Sequence, residues 1–519
     1  MEREKVVLAA MFLIVLASFA FWSNFVIVKY TMFRYSYSDF GFYAYNFYYT
    51  LHYPSTFQGL QYLVIGNHIA VDQLLVLPLF YLYQSPLTLL LLQVLVISLT
   101  GMIVFFIAKE LLKNDFIALA LGTAFVLNPG VQGMIVFDYH PEFLIIPFYL
   151  LTFYFYFKRE RALFFASLLL LLGTLDSVVF IVLALGFGLI YYEFFHEKDS
   201  KTRAARLRLA AYIVVFSLIS LLLYIEVANQ LIASYSQGNA AFPHVFRAFQ
   251  FDLPVVAKLA TGIGVQYNYS AINSTWLTFY HTNIFQAPAF LFVAIVVAIL
   301  VFGVAAINDP LLAIILDSPW LLALIGFGYV VYGSIDFQYF SYVIGGTVVS
   351  TLLGTLLIYR NRGVWHFISR AYAHAKEQRV LIICASILIP TLYAFMVGMF
   401  VHAQGTNAPF LLFNNSEYNA SCYAQLNFVI SRLPSNSSLM TESSIFPHVA
   451  DRRNVEAMTW INGSVYFTPE YILVDFNNCI NVTELDLRNE SSILASYMSR
   501  FNYSVYLTNG TVRLYRLRG

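Results

Sequence analysis

Long apolar runs alternate with short polar connections over the first 400 residues. A span across a bilayer needs about 20 mostly apolar residues in a helix. Eleven runs approach or reach that length, so the pattern predicts a polytopic α-helical membrane protein with about 11 spans. The runs cover residues 1–28, 85–108, 116–129, 143–157, 162–175, 177–195, 209–232, 284–305, 319–334, 339–359 and 380–401.

Two details of these runs affect the count. The first run ends in bulky FVIVKY instead of a small-residue cleavage site, which favours an uncleaved first span. The runs at 162–175 and 177–195 are short for spans. They are consistent either with two crossings or with a re-entrant hairpin that turns at GTLDS.

The basic connections predict the orientation. KELLKND (109–115), KRER (158–161), HEKDSKTRAARLR (196–208) and the segment 359–379 are rich in Lys and Arg. The positive-inside rule places such connections in the cytoplasm, so the chain is expected in the cell membrane with a cytoplasmic N-terminus. The segments left outside are then 29–84, 130–142, 234–283 and an extracytoplasmic C-terminal domain, 402–519.

Glycosylation sequons agree with this orientation, and they predict a glycoprotein. Each N-x-S/T sequon lies in a segment that the charge rule places outside. They begin at Asn268, Asn273, Asn414, Asn419, Asn436, Asn462, Asn481, Asn489, Asn502 and Asn509.

The C-terminal region has the composition of a soluble domain. YILVDF (471–476), YSVYLT (503–508) and TVRLYRL (511–517) are strand-like, and Asn509-Gly510 between the last two is a strong hairpin signal. A small α/β or α+β domain is therefore predicted after the transmembrane domain, which ends near residue 401. Cys422 and Cys479 lie in this region, and the sequence leaves open whether they form a disulfide.

Composition excludes several classes of function. The chain is 60% hydrophobic and 11% charged with a net charge of +1, so nothing indicates a nucleic-acid partner. No phosphate-binding P-loop, GxGxxG after a strand, HExxH or GxSxG is present, which argues against ATP-driven transport and serine hydrolysis.

Candidate chemistry begins with FDYHPEF (137–143), which places Asp138, His140 and Glu142 at the external mouth of a span. Pro141 disfavours a helical His140, so a turn is expected there, with Glu142 in the first turn of the next helix. In an extended segment Asp138 and His140 point to one side, as metal ligands would. The alternative is that the carboxylates only cap that helix.

Other ionisable residues are predicted on the same face. Asp39 is the one acidic residue between Glu4 and Asp72 and lies among aromatic residues, where a raised pKa would suit a general base. It is otherwise a carboxylate at the membrane surface. His68 and Asp72 follow in the same loop. Asp176 either contributes to the same cavity or marks the tip of the hairpin.

These segments together resemble a known family. SDFGFY, then NHIAVDQLLVLPLFYLYQSPLTLLLLQ, then NPGVQGMIVFDYHPEFLIIP and LDSVV are similar in order to the multi-pass membrane proteins grouped as domain of unknown function 2079. The C-terminal PEYILVDF is similar to that family's soluble tail. The sharpest match is FDYHPE to the family's FDFHPE pattern.

The resemblance is incomplete in the candidate site. Asp72 stands where the family has a second histidine, and Leu175-Asp176 stands where it has lysine-glutamate. The family's layout is similar to that of GT-C membrane glycosyltransferases, which use polyprenyl-phosphate sugars and an acidic residue in the first external loop. By that resemblance Asp39 is the leading catalytic candidate.

The expected function is transfer of a sugar from a polyprenyl-phosphate-linked donor in the membrane lipid to an acceptor on the outer face. Asp39 would deprotonate the acceptor, while Asp138, His140, His68 and Asp72 would bind a divalent cation (Mg²⁺ or Mn²⁺) or the donor phosphate. Two alternatives remain open: a transporter or flippase of lipid-linked or small polar solutes, and a non-enzymatic envelope assembly protein.

Overall fold

The protein is described by a computed structural model. The structure describes residues 2–35, 40–54, 58–65, 68–235, 309–327, 340–359, 378–404, 420–458, 468–476 and 484–518.

The described chain is mostly helical, as the apolar runs predict. The first eleven helices precede residue 236 and the next three follow residue 308. Their bounds are α1 Glu2–Thr31, α2 Phe42–His52, α3 Gln58–Ile65, α4 Gln73–Leu82, α5 Pro86–Leu112, α6 Asp115–Val126, α7 Pro129–Val136, α8 Ile145–Lys158, α9 Arg161–Thr174, α10 Val178–His196, α11 Ser200–Tyr235, α12 Pro310–Phe327, α13 Ser341–Tyr359 and α14 Arg379–Gln404.

Six stretches of the described chain are long and apolar enough to cross a membrane. They are Glu2–Thr31, Pro86–Leu112, Asp115–Val136, Val178–His196, Ser200–Val227 and Ser341–Tyr359. Other apolar helices are shorter, and the run at 284–305 lies outside the described residues. The count of about 11 spans therefore stays a prediction.

The short pair at 162–195 forms two helices of unequal length. At about 1.5 Å per residue, α9 is about 21 Å long and α10 about 28 Å, against a hydrocarbon core of about 30 Å. Leu175, Asp176 and Ser177 join them. Only α10 is long enough to be a candidate span.

Helix starts follow from local sequence. The side chains of Ser85, Asn114 and Asn128 accept hydrogen bonds from backbone N–H groups in the first turns of α5, α6 and α7. Proline follows Ser85 and Asn128 at the first helical position, where a missing N–H costs nothing. The Asn128-Pro129 step thus breaks the apolar segment 115–136 into two helices.

The predicted first external segment, 29–84, contains three helices that its description as a loop did not anticipate. In α2, Tyr43, Ala44 and Phe47 are buried. They recur at a spacing of three to four residues, so one aromatic face packs against the bundle. Burial of this aromatic face against the bundle stabilises the helix.

The C-terminal domain contains a five-stranded mixed sheet and two helices. The strands are β1 Leu439–Thr441, β2 Val455–Ala457, β3 Tyr471–Asp475, β4 Tyr503–Asn509 and β5 Val512–Leu517, and the helices are α15 Ala420–Arg432 and α16 Glu484–Arg500. The strand order is β2-β1-β3-β5-β4, with parallel pairs β1–β2 and β1–β3 and antiparallel pairs β3–β5 and β4–β5.

The hairpin predicted from Asn509-Gly510 is confirmed. Asn509 ends β4, and Asn509 pairs with Val512 across the turn. Gly510 has a φ of 62°, a left-handed conformation that glycine adopts without strain. The proposed Cys422–Cys479 disulfide involves side chains outside the described residues, whereas Cys384 is a half-buried free thiol.

The C-terminal domain contacts the bundle through an aromatic junction. The imidazole of His448 stacks on the rings of Phe33 and Tyr30, with centroid separations of 3.7 and 4.2 Å. The hydroxyl of Tyr45 in α2 donates to the carbonyl of Arg453 at 2.9 Å. The domain is therefore joined to the end of α1 and to α2.

We predict that this junction weakens in acid. Burial lowers the pKa of His448 to about 3, although a hydrogen bond with the Tyr30 backbone acts in the opposite direction. Between about pH 3 and 6.5 the unfolded chain binds more protons at this residue than the folded chain. The contribution of His448 to the free energy of unfolding is complete above pH 6.5. As the pH falls below this value, the contribution decreases by up to about 1.4 kcal/mol per pH unit.

The measurement is thermal unfolding of the purified protein at a series of pH values, compared with His448→Phe. Phenylalanine keeps the stacking and cannot be protonated, so this variant should lose less stability in acid than the parent. His52→Phe, at an exposed histidine, is the matched control. Equal acid sensitivity of the parent and His448→Phe would contradict the assignment.

Candidate functional site

The FDYHPEF segment leaves one helix and enters another inside the bundle. Helix α7 ends at Val136, His140 is extended (φ −142°, ψ 142°), and a 3-10 helix covers Pro141–Leu144 before α8 begins. The predicted turn, with Glu142 in the first helical turn, is confirmed. His140 occupies the N-cap position of that turn without a side-chain capping bond.

A glutamine side chain holds the segment's backbone. The amide nitrogen of Gln93 in α5 donates to the carbonyls of Met134 at 2.8 Å and Asp138 at 3.0 Å, and its oxygen accepts from the N–H of His140 at 3.0 Å. Gln93 is 2% exposed. One buried side chain therefore satisfies three backbone groups that no helix can satisfy.

A lysine holds the same segment from α1. Lys29 donates to the carbonyls of Val136 at 2.7 Å and Phe137 at 2.6 Å, and its Nζ lies 3.8 Å from Asp138 Oδ1. The ammonium also lies 4.3 Å from the ring centroid of Tyr35. Asp138 is thus placed beside a buried cation, at the end of α1.

His140 and Glu142 form a buried imidazole–carboxylate pair. The Nδ1 of His140 lies 3.1 Å from Glu142 Oε2, and their side chains are 5% and 2% exposed. Burial alone would raise the pKa of Glu142, but His140 and, more weakly, His68 outweigh it and lower that pKa below its ordinary value. Glu142 is therefore a stable anion between two histidines.

His68 and Asp176 form a second pair. The Nδ1 of His68 lies 3.2 Å from Asp176 Oδ1, which also accepts from the N–H of Ser177 at 2.9 Å. Burial would lower the pKa of His68, but Asp176 and then Glu142 raise it above its ordinary value. The side chain of His68 is 23% exposed and that of Asp176 only 2%, so the imidazole remains accessible while its partner is covered.

Asp72 lies beside these pairs. Its backbone N–H donates to the carbonyl of Gly173 at 3.2 Å, which fixes the loop against the end of α9. Gln73 donates to Asp72 Oδ1 at 3.3 Å and accepts from the Tyr139 hydroxyl at 2.7 Å. Burial, with a contribution from Glu142, raises the pKa of Asp72 to about 7. Asp72 can therefore accept or release a proton near neutral pH.

The structure thus brings most of the sequence-predicted residues together. His68, Asp72 and Asp176 come from the loops before α4 and α10, and His140 and Glu142 from the loop before α8. Asp138 adjoins them in sequence and contacts Lys29. Asp39 lies outside the described residues. Among the residues described, no group of three or more His, Cys, Asp or Glu side chains is arranged to hold a metal ion.

Sequence reasoning missed Lys29 and Gln93. Each is a polar residue within or at the end of an apolar run, which is the signal that would have found them, because such residues are expensive in a membrane unless they have partners. Their partners are backbone carbonyls and one N–H group in or next to the FDYHPEF segment. These partners lie 41 to 108 positions away along the chain. That pairing has no sequence signature.

The two imidazole–carboxylate pairs suit the binding of an anion. A carboxylate on Nδ1 orients the ring and favours its cationic form, so the other ring nitrogen can donate to a phosphate oxygen. The same orientation also occurs in metal-binding histidines.

We predict that Asp176→Asn lowers the pKa of His68, because it removes the adjacent negative charge that contributes most to raising this pKa. Glu142→Gln should lower it less. Titration of isotope-labelled histidines by NMR gives the values. Asp115→Asn, which affects a carboxylate paired with Lys109, is the control and should leave His68 unchanged. An unaltered His68 pKa in Asp176→Asn would refute the pairing.

We also predict that Gln93→Leu destabilises the folded protein by about 3 kcal/mol, since it leaves buried backbone groups of the FDYHPEF segment without partners. Denaturant unfolding in detergent measures the loss. Gln84→Leu removes a single exposed contact with His52 and should cost little. Equal stability of the two variants would show that Gln93 does not hold the segment.

Comparison with known proteins assigns the chain to a family. No curated protein matches it. Among solved structures, the crystal structure of ArnT from Cupriavidus metallidurans bound to undecaprenyl phosphate is similar over 98% of each chain, at 12% identity and a TM-score of 0.46. We draw no conclusion about function from a likeness at that level. A family model described as predicted membrane protein (DUF2079) matches residues 30–512, so the chain belongs to the DUF2079 family, as its motifs indicate.

Proposed function

We propose that this protein is a membrane glycosyltransferase that transfers a sugar from a polyprenyl-phosphate-linked donor to an acceptor on the outer face of the membrane. The observation that carries the proposal is the pair of imidazole–carboxylate contacts, His68–Asp176 and His140–Glu142, in one cluster at one end of the bundle. The basic connections of the sequence predict that this end lies outside the cytoplasm.

Each part of the cluster has a role in this mechanism. His68 and His140 bind the donor phosphate, and Asp176 and Glu142 hold their rings in position. Because the leaving group is already a phosphate, the enzyme mainly needs to position it and to stabilise the negative charge that develops. Because the side chain of His68 is more exposed than that of His140, we expect His68 to contact the phosphate first.

Asp39 is proposed as the base that deprotonates the acceptor. The residues on either side of the undescribed segment 36–39 support this role. Phe40 packs on Tyr35, with centroids 5.0 Å apart, and Tyr35 contacts Lys29, which in turn contacts Asp138. The chain therefore leaves and returns beside the candidate site. Asp72, with a pKa of about 7, is the described carboxyl group best suited to relay a proton.

A divalent cation, Mg²⁺ or Mn²⁺, fits this site only with help from the donor. The described side chains provide oxygen ligands at Asp72 and Asp176 but no set of three, so phosphate oxygens would complete the coordination.

The test is sugar release by purified protein from a panel of labelled polyprenyl-phosphate sugars, with and without chelator. His68→Gln and His140→Gln should each lower kcat/KM about 10- to 100-fold, the value of a hydrogen bond to a charged group. Asp39→Asn should abolish turnover at saturating donor. His52→Gln, at an exposed histidine, is the matched control and should retain activity.

Three outcomes would count against the proposal. Absence of turnover by the parent across the panel would remove the enzymatic function. Full activity of both histidine variants would remove the phosphate role. Uptake of intact lipid-linked donor by proteoliposomes, without sugar release, would favour a transporter or flippase.

A further inference from the structure

A carboxyl group lies in the apolar interior of the bundle, away from the candidate site. Asp317 is in α12, about 10 Å from the helix start and 15 Å from its end at 1.5 Å per residue. No basic side chain in the described part of the chain forms an ion pair with it. An unpaired carboxylate in such a position is very costly.

The neighbouring helix, α13, has glycine residues where Asp317 approaches its backbone. In α13, a Cβ atom on Gly346 would clash with Asp317 Oδ1, and one on Gly345 would lie 2.9 Å from the ring of Tyr149. The absence of side chains at both positions lets Asp317 and Tyr149 approach the α13 backbone. Tyr149 is fully buried, and neither its hydroxyl nor Asp317 Oδ1 has a hydrogen-bond partner among the described residues.

The hydrogen bonds of Thr347 indicate the protonation state of Asp317. Its Oγ1 lies 3.0 Å from the carbonyl of Val343 and 3.3 Å from Asp317 Oδ2. A hydroxyl has one proton, and the nearer acceptor is the carbonyl. A protonated Asp317 could donate to Thr347 Oγ1 while the Thr347 proton stays on the Val343 carbonyl, so the geometry favours the neutral acid.

Two further threonines extend from this point along α13. Thr351 and Thr355 follow Thr347 at intervals of four residues, so all three lie on one face, about 6 Å apart along the axis. All three are buried. Helical threonines in apolar surroundings commonly bond to the carbonyl four residues back, as Thr347 does. The hydroxyls of Thr351 and Thr355 make no such bond and have no partner among the described residues.

The row of threonines leads to another ionisable cluster. Helices α12 and α13 are antiparallel: Asp309 at the start of α12 contacts His196 at the end of α10, whereas Tyr342 at the start of α13 contacts Ser177 near the start of α10. Since Asp317 is level with Thr347, Asp309 is level with Thr355, eight residues away in each helix. The His196 Nε2 and Asp309 Oδ2 atoms are 2.7 Å apart.

We propose that Asp317 is a proton-binding site inside the membrane, held as the neutral acid, and that Thr347, Thr351 and Thr355 connect it to the Asp309–His196 end of the bundle. Because successive hydroxyl groups lie about 6 Å apart along the axis, water molecules between them carry the proton from one hydroxyl to the next. This inference does not depend on the proposed glycosyltransferase activity.

Infrared spectroscopy of the reconstituted full-length protein tests the bound proton. A neutral carboxyl group absorbs apart from carboxylates and shifts on deuteration, so the parent should show such a band that Asp317→Asn lacks. Asp317→Glu should retain a displaced band, which covers the case in which the asparagine variant fails to fold. Absence of any neutral-acid band assignable to position 317 would overturn the proposal.

The rate of band shift after transfer to D₂O tests the path. Thr351→Val combined with Thr355→Val should slow exchange at Asp317 relative to the parent. Thr100→Val is the matched control, because Thr100 is a buried threonine in α5 that bonds to the carbonyl of Val96 at 2.8 Å. Equal exchange in the double variant and the parent would show that the threonines do not form the path.

Discussion

The candidate site depends on how the backbone of the FDYHPEF segment is satisfied. A chain that leaves a helix within an apolar bundle exposes N–H and C=O groups where water is scarce, and each unsatisfied group costs energy. Gln93 and Lys29 meet this demand from α5 and α1, with bonds to five backbone groups. The turn that presents His140 and Glu142 exists because these two side chains replace the missing helical bonds.

The carboxyl groups of the candidate site also have partners from other parts of the chain. Lys29 lies beside Asp138, His68 beside Asp176 and His140 beside Glu142, so each of these three carboxyl groups has a basic side chain within 3.8 Å. Asp72 is the fourth carboxyl group and forms no ion pair in the described part of the chain. Burial raises its pKa to about 7, and the negative charge of Glu142 adds a smaller contribution in the same direction.

Much of this architecture could be predicted from the sequence, and the reasons for the failures are physical. Apolar runs predicted most helices, and Asn509-Gly510 predicted the hairpin, because both depend on local periodicity and turn chemistry. The helices α2 to α4 were missed, because they are stabilised by burial of aromatic side chains against the bundle and not by a local pattern. The proximity of His68 to Asp176, 108 positions away, depends on how α9 packs, and no local pattern encodes it.

The structure contains two solutions to the problem of a carboxyl group in an apolar bundle. Among the described residues of the candidate site, each carboxyl group except Asp72 lies beside a basic side chain, which favours the charged form of the pair. In the described part of the chain, Asp317 lies beside the Thr347 hydroxyl and the backbone at Gly346 and forms no ion pair, which favours the neutral acid. Helix α13 touches both regions, through Tyr342 at Ser177 and through Thr347 at Asp317. Because the two contacts are five residues apart on one helix, a shift of α13 that accompanied proton release from Asp317 would also move Tyr342 against the residue next to Asp176.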